Sequence, residues 1–190
     1  MRINIDVNQS IRRGRLKVIH KNFWHRIAGI FYVLFVSFFV LFGLGLPISM
    51  TVQSISQDQE LAEIISLLVI FSPFIFLGFL TLYALVNDNR LKRFKGRDEE
   101  FNHKMILEIL ERRFKVSINK ASGKTMRIYK KATCWKSGIR VIVIFDNQDI
   151  LINISRFNYE GVKSPFHPWF DGLKIRSIRR DFNKVAKKAA

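Results

Sequence analysis

Cys134 lies among Lys130, Lys131 and Lys136, cations that would favour a reactive thiolate, and it is the only cysteine in the chain. A nucleophilic centre also needs a base, and no histidine lies near it in sequence. A free cysteine usually behaves as a small apolar residue, so Cys134 is expected to be buried and structural, and no catalytic residue is assigned. His20, His25, His103 and His167 show no HxxxH or HExxH spacing, so neither a metal site nor a cofactor is expected. Ser122-Gly123-Lys124-Thr125 ends like a phosphate-binding loop, but the upstream glycine is absent and the stretch leads into a strand. It reads as a turn.

Charge is the chemistry that remains. The formal net charge is +17, and it is uneven. Residues 1–26 carry +6, residues 51–63 carry −3 and residues 87–190 carry +14. The candidate contacts to an anionic partner or leaflet are Arg156, Lys174, Arg176, Arg179, Arg180 and Lys184. Aromatic and basic residues interleave at Arg156, Phe157, Tyr159, Phe166, Trp169 and Phe170, as base stacking would require. No nucleic-acid-binding motif accompanies them. A basic surface beside a bilayer is also attracted to anionic headgroups without further specificity.

Two uncharged runs must position this basic surface, Ile27 to Met50 and Ile64 to Val86. Each is long enough to cross a hydrocarbon core of ~30 Å as a helix. Lysine and arginine mark the cytoplasmic side, so both termini are expected there and the acidic connector outside. The first run exceeds the apolar core of a cleavable signal and lacks an Ala-x-Ala site, so it reads as a retained span. Residues 1–26 form a basic N-terminal segment: Ile3, Ile5 and Val7 alternate as a strand would, at an edge of the later sheet. Ser10 to Arg26 then reads as an interfacial lead-in helix with Leu16, Ile19 and Phe23 on one face. Pro73 is expected to kink the second span.

Residues 87–190 read as one basic domain. Asp98 to Phe114 has acids at its start and arginines at its end, as a helix prefers. Period-two patterning follows over Lys115 to Asn119 and Met126 to Tyr129, with Ala121 to Lys124 as the turn. Ile139 to Phe145 is apolar on both faces and calls for a cover on each side; Ile150 to Ile154 is the next strand. Ser155 to Gly172 reads as a long aromatic loop. From Leu173 to Lys188, Ile175, Ile178, Phe182 and Val185 form a helical stripe expected to lie on the sheet, with the basic residues outward. Residues 98–190 are expected to fold alone.

In element order over about residues 20–157, the chain resembles small bacterial membrane proteins with a two-helix hairpin and a PH-like cytoplasmic domain. The elements concerned are the two spans, the basic exit, the helix, the strand pair, Trp135, the strands at 139–145 and 150–154, and Arg156-Phe157. The resemblance carries over no functional residue and implies a bacterial inner-membrane location. The expected fold is therefore a membrane protein with a two-helix transmembrane hairpin (27–86) and a small cytoplasmic α+β domain, an antiparallel sheet with covering helices. The expected function is non-enzymatic: a membrane-anchored interaction, regulatory or accessory subunit. Its expected partners are the lipid bilayer and another protein or a second copy. The alternative is a membrane effector whose basic domain binds a nucleotide, nucleic acid or anionic lipid headgroup and acts through the hairpin.

Overall fold

A computed structural model describes residues 4–19, 23–57, 60–116, 121–134, 136–158, 163–164 and 167–188. The chain divides into two compact units. One holds residues 22–88 and the other joins residues 1–21 to residues 89–190.

The apolar unit is a helical hairpin. Its first limb runs through α2 (Phe23–Val40), a π-helical turn (Leu41–Gly45) and α3 (Leu46–Ser56); its second is α4 (Leu61–Asn87). Two stretches, Gly29–Ser56 and Leu61–Ala84, are long and apolar enough to cross a bilayer. Only 11% of the most apolar stretch of each is buried within the fold. The limbs meet at Gly43 and Gly78: a Cβ on Gly43 would lie 2.6 Å from the Phe74 carbonyl oxygen. Inserting one residue into the ladder, as a π-turn does, is how a helix re-aims such a contact. α4 continues through Pro73, and Ser72 Oγ donates to the Val69 carbonyl at 2.8 Å.

The polar unit is built on a five-stranded antiparallel sheet in the order β3-β7-β6-β5-β4. The strands are β3 (Lys92–Lys95), β4 (Ala121–Ser122), β5 (Thr125–Lys130), β6 (Gly138–Asp146) and β7 (Asp149–Phe157). Gly123 and Lys124 make the β4–β5 turn, with Ser122 opposite Thr125 and Gly123 at φ 65°. That is the turn expected of this stretch, although Ala121 and Ser122 belong to a strand. The preceding strand, expected at Lys115 to Asn119, falls largely on residues 117–120, outside the described residues.

Side chains alternate across a strand, so β6 serves two cores. Val141, Val143 and Phe145 join Phe94, Met126, Ile150 and Ile152 on one face. Two helices cover that face, α5 (Glu99–Phe114) through Ile106, Ile109, Leu110 and Phe114, and α6 (Pro168–Lys188) through Ile175, Ile178 and Phe182. Asp98 caps α5 by accepting from Phe101 N at 2.8 Å. Both helices thus lie on one side of the sheet, so the cover expected on its other face is a different element.

The other cover is the N-terminal segment. β1 (Asn4–Asp6), α1 (Val7–Arg13) and β2 (Lys17–Ile19) place Ile5 and Leu16 against Leu91, Ile142, Ile144 and Leu151. This corrects two expectations. β1 pairs with β2 and not with an edge of the sheet. The helix expected from Ser10 onward ends at Arg13, because Gly14 adopts φ 61° and caps it, a conformation glycine takes without the strain other residues meet. Fully buried Ser10 then locks the reversal, donating to the Asp6 carbonyl at 2.6 Å and accepting from Lys17 N at 2.9 Å. An excised 98–190 fragment would expose Ile142, Ile144 and Leu151 and lose β3, so the fold does not support its independence.

Candidate functional site

α6 carries the basic residues, and its first turn sets how they are presented. The sequence reading placed Ser155 to Gly172 in a loop; instead β7 runs on to Phe157 and α6 begins at Pro168. Proline suits the first turn of a helix, where its missing N–H has no partner to lose. Asp171, Ile175, Ile178 and Phe182 then recur on one side, all buried. Phe182 packs edge-on against Phe94 and Phe101, with ring centres 5.8 and 6.0 Å away. Arg113 of α5 fixes the helix laterally, donating to Ser177 Oγ at 2.7 Å and to Asp181. The Arg113 hydrogen bond holds the Asp181 carboxyl below its ordinary pKa.

This anchoring turns Arg176, Arg179, Arg180 and Lys184 outward, and all four are exposed. Among the described residues none of the four forms an ion pair. The other two candidates behave differently. Arg156 on β7 points to the covered face and donates through Nε to Asp171 Oδ1 at 3.0 Å, with side chains 18% and 3% exposed. It is committed to holding α6 on the sheet. Lys174 is half-buried beside the same pair, and burial, then the Arg156 charge, lower its pKa. Four of the six named residues therefore form one outward surface, and two belong to its internal support.

The support is a polar cluster that sequence reasoning missed. Ser164 N donates to the Arg156 carbonyl at 3.0 Å, and Ser164 Oγ meets His167 Nδ1 at 2.5 Å. Burial raises the Asp171 carboxyl pKa and outweighs the opposing pull of Arg156, Lys174 and His167. Burial and the Arg156 cation lower that of His167. A serine, a histidine and an aspartate lie close together, but among the described residues the hydrogen bond of Asp171 goes to Arg156 and not to the imidazole. The signal available in the sequence was Asp171 four positions before Ile175, in register with the apolar stripe.

The aromatic residues separate. Phe157 is buried and stacks on Tyr129 with ring centres 5.1 Å apart. Trp169 and Phe170 are exposed on the first turn of α6. Tyr159 and Phe166 lie outside the described residues. Cys134 is exposed in a tight turn closed by Thr133 N and the Lys136 carbonyl at 2.9 Å, which corrects its expected burial. Among the described residues no three His, Cys, Asp or Glu side chains gather as metal ligands would. The hairpin bears a groove of about 490 Å³ lined, among the described residues, by Met50, Glu63, Ser66, Ile70 and Phe71. No protein-family model matches this sequence, and no curated protein or solved structure matches it either.

Proposed function

We propose that the chain is an integral membrane protein, inserted through its two apolar helices with both ends cytoplasmic, in a bacterial inner membrane. It serves as a non-enzymatic interaction, regulatory or accessory subunit, and its polar unit meets an anionic partner through the outer face of α6. One observation carries this reading. Arg176, Arg179, Arg180 and Lys184 project from a helix whose opposite side is bolted to the sheet by Ile175, Ile178, Phe182 and the Arg156–Asp171 pair. A rigid, unneutralised row of cations is suited to recognition and supplies no acid, base or nucleophile for catalysis. The charge balance of the segments supports the orientation.

Capture of partners by the full chain in mild detergent, with Arg176→Glu/Arg180→Glu alongside, tests the function. The expected result is a specific protein retained by the wild type and lost by the variant at unchanged thermal stability. Equal capture by both would remove α6 from the contact. Thiol probes at positions 8 and 55, both exposed, in a Cys134→Ser chain test the orientation: position 55 should label from outside, and position 8 only after permeabilisation.

A further inference from the structure

The outer face of α6 is more than a row of cations. Trp169, Leu173, Arg176, Arg180, Lys184 and Lys187 recur at spacings of three and four, a single stripe along the helix. It lies opposite the buried stripe of Asp171, Ile175, Ile178 and Phe182. Trp169, Phe170 and Leu173 are 48%, 51% and 46% exposed. Elsewhere in the polar unit, among the described residues, the large exposed apolar side chains are Ile19 and Tyr129, each apart from the others in sequence. The first turn of α6 is thus a compact apolar tip, and four basic residues follow it on the same line.

We infer that this stripe docks on the anionic surface of the membrane that anchors the chain, with Phe170, Leu173 and Trp169 entering the headgroup–acyl boundary and Arg176, Arg180, Lys184 and Lys187 meeting lipid phosphates. The inference rests on the reading of the apolar helices as membrane spans, and it names the partner of the α6 surface. Three features select a lipid surface. The tip combines an aliphatic leucine with aromatics, which suits burial in acyl chains, whereas base stacking requires π-faces throughout. Tryptophan is favoured at headgroup depth, where one part of the ring is wet and the other apolar. The cations match anionic headgroups in sign, and each one near such a surface strengthens association roughly fivefold. Chain connectivity adds a fourth: β2 ends at Ile19 and α2 begins at Phe23, while α4 ends at Asn87 and β3 begins at Lys92. Two short links keep the helix at high local concentration beside any bilayer the hairpin enters.

Site-directed spin labelling of the full chain tests this. With Cys134 replaced by serine, Phe170→Cys or Leu173→Cys supplies a single thiol for a nitroxide, and Lys131→Cys, on an exposed site outside α6, serves as control. The chain is reconstituted into bilayers of phosphatidylcholine with or without phosphatidylglycerol. In the anionic bilayers, labels at 170 and 173 should be relaxed by oxygen more than by a water-soluble nickel chelate, and the label at 131 the reverse. Arg176→Glu/Arg180→Glu/Lys184→Glu should lower the docking equilibrium roughly a hundredfold or more and return the label at 173 to water, with the thermal melt unchanged. A water-accessible label at 173 in wild-type anionic bilayers would overturn the inference. So would equal shielding in detergent without lipid, which would mean a protein partner or second copy, or shielding that appears only on adding RNA. Lipid shielding without any captured protein would sustain the docking and defeat the interaction-subunit reading; a captured protein with the label in water would do the opposite.

Discussion

Arg156 and Asp171 provide the sharpest quantitative expectation. Asp171 is 3% exposed and accepts from Arg156 Nε at 3.0 Å. Removing one member of a buried pair leaves the other charge uncompensated, which costs ~3–5 kcal/mol. The Arg156 side chain is 18% exposed, so some water reaches the site and about 3 kcal/mol is the better expectation for Arg156→Met. For a unit of this size, that lowers the melting temperature by roughly 10 °C. The deficit depends on pH. Burial already raises the folded carboxyl pKa above its unfolded value, so ionisation of Asp171 opposes folding above the raised pKa, and the penalty fades as pH falls through it. Without Arg156 the pKa rises further. The Arg156→Met deficit should therefore be largest at neutral pH and shrink toward the ordinary carboxylate range. Asp171→Asn in the same chain should restore most of the loss at neutral pH. The assay is a set of thermal melts of the full chain in detergent, followed by near-ultraviolet circular dichroism across pH. Identical melts for the single and double variants at neutral pH, or a deficit that ignores pH, would refute the buried-charge account.

Other expectations concern the remaining supports. Ile178→Asp places a charge in a fully buried site and should abolish the cooperative melt of the polar unit; a normal melt would mean that α6 faces the other way. Asp98→Ala removes the α5 cap and should cost ~1 kcal/mol, read as a small shift in the melt. Residues 98–190 expressed alone should show poor NMR dispersion, while residues 4–19 joined by a linker to 89–190 should show a folded spectrum, because only the latter retains the second cover. Gly43→Leu should weaken contact between the hairpin limbs, since even a Cβ there would meet the Phe74 carbonyl oxygen at 2.6 Å; reduced cysteine cross-linking between the limbs would report it.

The parts of the fold legible in the sequence were those fixed by local periodicity. The uncharged runs, the capped helix after Asp98, the two-faced strand around Val141 to Phe145 and the stripe of Ile175, Ile178 and Phe182 all speak for themselves. What resisted reading was non-local. Ile5 and Leu16 have apolar side chains in a basic segment, and nothing nearby says that their partners are Ile142, Ile144 and Leu151, beyond the hairpin in sequence. Basic neighbours made the segment look interfacial, and Gly14, which ends its helix, was passed over. At the candidate site, Pro165 and Pro168 suggested a loop, although Pro168 in fact opens a helix. That shift moved Trp169 and Phe170 from a loop onto the outer surface of α6 and put Asp171 beneath it. The outward cations were visible in the pattern; the internal role of Arg156 required knowing which strand face it occupies.

The polar unit is interrupted by the hairpin, and this imposes an order on synthesis. The backbone joins residues on the two sides of the interruption: Leu16 N donates to the Asn89 carbonyl at 2.8 Å and Leu91 N to the Gly14 carbonyl at 2.9 Å. Asn153 Nδ2 adds a bond to the Arg90 carbonyl at 3.1 Å. On the ribosome, Ile5 and Leu16 emerge before either apolar helix and must wait until β6 and β7 have been made. The hairpin is synthesised during that wait, and the seam can close only after both its limbs have been made. Completion of the polar unit therefore records that the whole hairpin has been made and that the chain beyond it has met the N-terminal segment.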